Sequence, residues 1–232
     1  MEKVELLIPD SLHEITLEQY QKFIEEKVNN EDEEVLKVKA VSIFCNVPES
    51  FVYLMKRTDL IDIAKKLYDL FESQKTFFNQ FTMNDTKFGF IPNIEEITHG
   101  EYIDIDSNIT DWTTYHKAMA VMFRPITESK KERYKIEEYK GTANYSEVMK
   151  YAPMSVVFGS MVFFYHLGNE LLKNSVNYLE KELKRMSKTS LNSTMKNNSL
   201  LNDGDGISTY INSLKEMLQS SMKLQLNPLE KI

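Results

Sequence analysis

The chain is 232 residues long with a net charge of −7; 42% of it is hydrophobic and 27% charged, the balance of a globular protein able to bury a core. One cysteine excludes an intramolecular disulfide framework, and seven glycines and six prolines against 12 Met, 13 Phe and 12 Tyr favour helices packed through large side chains. Residues 1–34 hold eleven acids and three lysines, a net of −8, so the other 198 residues sum to about +1; the acidic leading segment argues against nucleic acid as the main ligand.

Met1-Glu2-Lys3-Val4-Glu5 is acidic where a secretory leader needs basic residues, so no signal peptide is expected. Residues 4–8 read as a short strand or an extended docking arm, closed by Pro9-Asp10. A helix over 17–29 comes next. Thr16 is its N-cap, Gln19 completes a capping box, and Ile15 and Tyr20 form a hydrophobic staple across the start. An acidic turn leads to a helix over 33–44, broken by Asn46-Val47-Pro48, and Cys45 sits there in apolar company as an inert core residue. A short helix is predicted over 49–56. Another over 60–73 has Leu60, Ile63, Ala64, Leu67, Leu70 and Phe71 on one face. The period then changes: aromatic and β-branched runs at 76–82 and 86–91 flank Asn84-Asp85, which reads as a β-hairpin over 76–91.

The capping phrase then returns. Leu12-His13-Glu14-Ile15-Thr16-Leu17-Glu18-Gln19-Tyr20 is echoed by Ile94-Glu95-Glu96-Ile97-Thr98-His99-Gly100-Glu101-Tyr102, 82 residues on, with Thr98, Glu101, Ile97 and Tyr102 in the same roles. The echo extends to Lys37–Ile43 and Lys117–Phe123, read as two helices each ended by a proline, Pro48 and Pro125. The repeated unit is a capped amphipathic helix, an acidic linker and a buried helix, with unit boundaries at 8–75 and 92–170. Residues 126–144 look like an exposed connection or short hairpin, and 145–151 like a helical turn or two. Pro153 opens the longest helix, to about residue 186. Residues 187–207, rich in Ser, Thr and Asn with Gly204 and Gly206, read as a flexible linker. A last amphipathic helix over 208–223 places Ile211, Leu214, Leu218 and Met222 on one face. The expected fold is therefore mainly α: a helical bundle over 1–186 with an internal duplication and one small hairpin, a linker over 187–207, and a C-terminal amphipathic segment over 208–232.

Chemistry-bearing motifs are missing. Asp104-x-Asp106-x-Asn108 opens like an EF-hand loop, but Ile109 stands where glycine is needed and Tyr115 where a bidentate glutamate is needed. Asn202-Asp203-Gly204-Asp205-Gly206 reads as a turn, and His13, His99, His116 and His166 have no ligand spacing between them. No phosphate loop, dinucleotide fingerprint, nucleophile elbow or zinc spacing is present, so no catalytic, cofactor or metal residue is assigned. Residues 151–169 contain no Lys, Arg, Asp or Glu, a length just short of the ~20 apolar residues of a membrane span. Pro153, Ser155, Ser160, His166 and Asn169 within it favour a buried helix, and Ser155 and Gly159 would let a neighbouring helix approach closely. Trp112, the only tryptophan, follows Ile109-Thr110-Asp111 at a predicted helix start and reads as a core anchor or as a partner-binding hot spot.

Several of these residues together resemble a known group. Ile8-Pro9-Asp10-Ser11-Leu12-x-Glu14-Ile15-Thr16-x-x-Gln19-Tyr20, Ile97-Thr98-x-Gly100-x-Tyr102-Ile103-Asp104, Ala118 to Ile126, and Met154-Ser155 through Gly159 to Phe163-Phe164 resemble tailed-phage proteins encoded among tail and virion assembly genes, including those of crAss-like gut phages, and are similar to tail-assembly chaperones. The resemblance covers residues 8–170 and brings no active-site residues. It implies a non-enzymatic assembly factor or a small component or cargo of the particle, in the virion or in the host cytoplasm during assembly. Its partners would be tail, portal or ring proteins, or a second copy of the chain, and not a specific nucleic acid. The candidate contacts are Leu6 and Ile8 of the arm, Phe78 and Phe88 of the hairpin, Trp112, and Ile211, Leu214 and Leu218 of the last helix. The alternative is a membrane-active effector that inserts residues 151–169.

Overall fold

A computed structural model describes residues 6–131, 133–192 and 229. The chain is mainly helical, with one four-stranded antiparallel sheet in the order β1-β2-β3-β4. The described residues fall into two compact units. One contains residues up to Val162 together with Leu229; the other begins at Phe163.

The first unit opens with α1 (Leu17–Asn29), α2 (Glu33–Phe44), α3 (Glu49–Val52) and α4 (Arg57–Glu72). Thr16 caps α1 as its sequence demands: the Thr16 side chain accepts from the Gln19 amide, and the Gln19 side chain accepts from the Thr16 amide at 2.9 Å. Asp32 caps α2 by accepting from the Glu34 and Val35 amides. Asn46, at φ 53°, turns the chain out of α2 towards Pro48.

The hairpin is β1 (Gln80–Met83) and β2 (Thr86–Phe90), joined through Asn84 and Asp85, whose φ values of 47° and 60° suit a tight left-handed turn. Residues 76–79, expected as strand, instead cross α8 (Met154–Asn192), and Gly159 is what lets them. A Cβ on Gly159 would lie 2.3 Å from the Thr76 carbonyl oxygen. The close neighbour of Gly159 is therefore an extended backbone, not the helix expected from the Ser155–Gly159 spacing.

After a 3₁₀ turn over Ile94–Glu96 come α5 (His99–Asn108) and α6 (Tyr115–Met122). Trp112 lies in the loop between them rather than at a helix start. Here Asp111 accepts from the Thr113 amide at 2.8 Å, an Asx turn. The helix expected to run to Phe123 and end at Pro125 stops at Met122. Pro125 disfavours a helical Arg124, and Phe123–Lys130 becomes β3, paired to β2 through Phe90↔Phe123 and Gly89↔Arg124. β4 (Arg133–Ile136) completes the sheet as a hairpin with β3, the short-hairpin alternative for residues 126–144. Tyr134 on β4 covers the bare Gly89, where a Cβ would meet its ring at 2.5 Å, and its hydroxyl donates to the Phe90 carbonyl at 2.8 Å. A second 3₁₀ turn and α7 (Ser146–Met149) lead to α8.

The longest helix continues to Asn192, so the first six residues of the expected 187–207 linker are helical. The rest of that linker and the helix expected over 208–223 lie outside the described residues.

An aromatic network makes the core. Tyr20 meets Trp112 at 4.6 Å, Phe158 at 5.4 Å and Phe71 at 5.9 Å between ring centroids; Phe71 meets Phe44 at 5.1 Å, and Phe44 meets Phe23 at 5.3 Å. It joins α1, α2, α4, the α5–α6 loop and the start of α8. A second set lies on the sheet, where the cross-strand pair Phe81–Phe88 stacks at 5.4 Å and Phe123 touches both Phe81 and Phe90 at 5.2 Å. Cys45 is buried, and that burial pushes its thiol up to about 11, the setting of an unreactive core residue.

Gly159→Ala places a methyl group against the Thr76 backbone, which cannot move aside as a side chain would. The expected cost is about 1–3 kcal/mol, read as a lower midpoint in thermal unfolding. Gly168→Ala, on the same helix with open space around its Cβ, should instead stabilise by up to about 1 kcal/mol.

Candidate protein-binding surface

The extended segment of Leu6 to Pro9 alternates: Leu6 and Ile8 are half-buried, while Leu7 between them is 79% exposed. No strand forms there among the described residues. The segment runs into a cleft of about 380 Å³ bounded by Asp10–His13, the end of α4 and residues 73–78, with Ser155 at its base. Phe78 lines this cleft and is 43% exposed. Residues 10–13, which follow the arm, and the approach to the hairpin thus share one surface.

Most residues lining the cleft are polar, and Leu12, Leu70 and Phe78 are the apolar ones. His13 Nδ1 lies 3.3 Å from Ser155 Oγ. No acid holds the other ring nitrogen among the described residues, and the Glu14 carboxylate is taken up by the Asp10 amide and the Ser11 hydroxyl. This pair therefore lacks the relay that activates a serine. Asp10 meets Lys66 at 2.5 Å on an exposed rim, where such a pair contributes little. Lys75 turns inward. Its ammonium donates to the Phe71 carbonyl at the end of α4 and lies 5.7 Å from the Phe158 ring centroid; burial lowers its pKa, with Glu72 opposing. The sequence offers no signal for this lysine, because its partners are a backbone carbonyl and a residue 83 positions away.

Other candidate contacts fall elsewhere. Phe88 is 2% exposed, sandwiched in the sheet's aromatic set, and is not available to a partner. Trp112 is half-buried and packed on Tyr20, Tyr115 and Phe158, the place of a core anchor. Ile211, Leu214 and Leu218 lie outside the described residues. A second, more open cleft of about 610 Å³ runs between the start of α1 and the end of α2, with Tyr151 on its edge, 55% exposed.

The repeated capping phrase carries different loads in its two copies. In the first, Ile15 and Tyr20 are buried at 0% and 2% exposure. In the second, Ile97 is half-buried and Tyr102 54% exposed. Glu101 keeps the capping box, taking the Thr98 amide at 2.7 Å on one carboxylate oxygen, and gives the other to Arg124 in a buried ion pair. Arg124 lies 5.8 Å from the centre of the Tyr139 ring, and the Tyr139 hydroxyl donates to Asp104. Burial first, then that bond to Asp104, pushes the Tyr139 hydroxyl up to about 12. Gly100 is explained by the same ring: a Cβ there would come 3.2 Å from Tyr139. The sequence names the capping role of Glu101 but not its ionic partner on β3.

Residues 154–158, the start of α8 within the uncharged run, form core apart from the half-buried Ser155. Met154, Val157 and Phe158 are at 0% exposure, and no helix among the described residues is long and apolar enough to cross a membrane. No group of three or more His, Cys, Asp or Glu converges as a metal set among the described residues. No protein-family profile matches the chain. No curated protein and no solved structure matches it either.

Two measurements follow from these buried polar groups. Glu101→Gln keeps a capping side chain like that of Gln19 but leaves Arg124 as an unpaired buried charge; the expected loss is about 3–5 kcal/mol in denaturant unfolding. His116, buried and bonded through Nδ1 to the Gln21 amide at 3.1 Å, is held below its usual 6.5 by burial and by the nearby Lys150. Its neutral form is favoured in the fold, so this contribution is complete above pH 6.5 and is lost as pH falls through the lower folded value, at up to about 1.4 kcal/mol per pH unit. His116→Gln should flatten that part of a melting-temperature profile taken between pH 7 and 5.

Proposed function

We propose that this is a non-enzymatic tailed-phage structural or assembly protein that acts by binding other phage proteins. It works as a tail-assembly-chaperone-like factor, or as a small component or cargo retained in the portal–tail part of the particle. Its partners are tail, portal or ring components. The observation that carries the reading is the exposure of two large apolar side chains: Leu7, beside the Ile8–Leu12 stretch on which the phage resemblance begins, and Phe78, on the cleft that Leu12 also lines. Large apolar side chains rimmed by a few polar groups are the usual make-up of a protein-binding patch. The two capped helix pairs, α1–α2 and α5–α6, we read as a duplicated unit in a helical bundle. The first copy serves the core, and the second leaves Tyr102 and Ile103 outward.

The test is affinity recovery from infected cells, with mass spectrometry of purified particles in parallel. Tail, portal or ring proteins should co-purify with the wild type. Leu7→Asp with Phe78→Asp should lower that recovery about tenfold or more, as expected for contacts near a hot spot. Recovery of no phage structural protein, together with absence from particles, overturns the reading.

A further inference from the structure

Helix α4 uses Leu60, Ile63, Leu67 and Phe71 to face the core. Its neighbouring stripe, Ile61, Ala64, Lys65 and Tyr68, has the same helical spacing but a different neighbour. With Lys37 and Ala40 of α2 it lines a cavity of about 400 Å³, and the remaining lining residue is Leu229. Leu229 is 3% exposed although it stands 37 positions after the last described residue of α8. A leucine so far along the chain is removed from water only if the body has a place for it. The place has the right make-up: two alanines leave room for a branched side chain, Ile61 and Tyr68 give apolar walls, and two lysines stand at the rim. The residue after Leu229 in sequence is Glu230, of charge opposite to that rim.

We propose that the α2–α4 groove is a peptide-docking seat, and that its resident ligand is the chain's own Leu229. The seat holds Leu229 on the first unit, tethered to it by the chain itself. A tether of this kind gives the anchor an effective concentration on the order of millimolar, so a contact too weak to hold two separate molecules holds here. The proposal does not depend on the phage reading, since it concerns only where this chain's own end is held.

Methyl-labelled full-length protein tests it. Nuclear Overhauser contacts are expected from the Leu229 methyls to the methyls of Ile61 and Ala64. In Leu229→Asp they should be lost and the Ile61 and Ala64 resonances shifted, with Ile15 in the core unchanged as the control for folding. A synthetic peptide of sequence Leu-Asn-Pro-Leu-Glu-Lys-Ile, added at millimolar concentration to that variant, should return both resonances towards their wild-type positions. Three results overturn the proposal: no Leu229 contact in the wild type, unmoved Ile61 and Ala64 resonances in the variant, or contacts seen only between labelled and unlabelled molecules, which would assign the groove to a second copy. The wild-type contacts need no variant, so they decide the matter even if Leu229→Asp does not fold.

Discussion

The first two amides of α1 have no partners within their own helix, and the chain supplies acceptors from more than 130 residues away. Leu17 donates to the Ala152 carbonyl at 3.0 Å and Glu18 to the Lys150 carbonyl at 2.7 Å; in return Met154 donates to Ile15 at 2.8 Å and Ser155 to Leu12 at 3.1 Å. A helix start is short of acceptors by construction, and buried amides must be satisfied somewhere. Here the same four bonds hold residues 150–155 against α1 and set where α8 begins. With that segment in place, Phe158 arrives between Tyr20, Phe71 and Trp112, and Gly159 arrives under the Thr76 carbonyl. The aromatic core, the crossing of residues 76–79 and the floor of the cleft at Ser155 all depend on this junction.

The same dependence explains why the two copies of the capping phrase diverge. Around α1, residues 150–155 cover the phrase and make Tyr20 a core residue. Around α5, the neighbour is instead Arg124 from β3, with Tyr139 laid over it. Position N3 is accordingly Gln19 in one copy, donating onward to the Ile43 carbonyl at 2.8 Å, and Glu101 in the other, neutralising a buried guanidinium. Both satisfy the same cap. The second duty differs, so Gln and Glu are not exchangeable between the copies.

Local rules were readable from the sequence wherever a residue's partner lies within a few positions. The caps at Thr16 and Thr98, the turn at Asn84-Asp85 and most of the core face of α4 belong to this class, although Ala64 and Leu70, expected on that face, line clefts beside it. Features set by distant partners were not readable. Phe88 alternates like an outward hairpin residue, yet β3 and Tyr145 cover it, and neither pairing is encoded near position 88. The β3 strand was hidden because only its first residue, Phe123, belongs to the apolar run, which is helix to Met122, while most of Arg124–Lys130 is polar and its second half exposed. Only Pro125 hints at the change. Of the candidate surface, the arm and Phe78 were visible as separate apolar signals; the cleft between residues 10–13 and the hairpin approach was not, because the position of residues 76–78 follows from Gly159 admitting the Thr76 backbone. Leu229 gave no signal at all, since a lone leucine acquires meaning only from the groove that receives it.

Functional surface in this protein is what the core leaves over. Helices α1, α2 and α4 each commit one stripe to the aromatic network, and the groove of interest lies on an adjoining stripe. Leu60, Ile63 and Leu67 pack inward while Ile61, Ala64 and Tyr68, one position along, line the groove that holds Leu229. Tyr20 is sealed while Tyr102, its counterpart, stands in solvent. A helix offers about 100° per residue, so one apolar stripe cannot also cover its neighbour. Side chains as large as these, set beside the core rather than in it, keep part of their hydrophobic free energy unspent until another chain segment arrives. The core is built of interlocked rings, and the outward apolar positions are fixed to it one residue away.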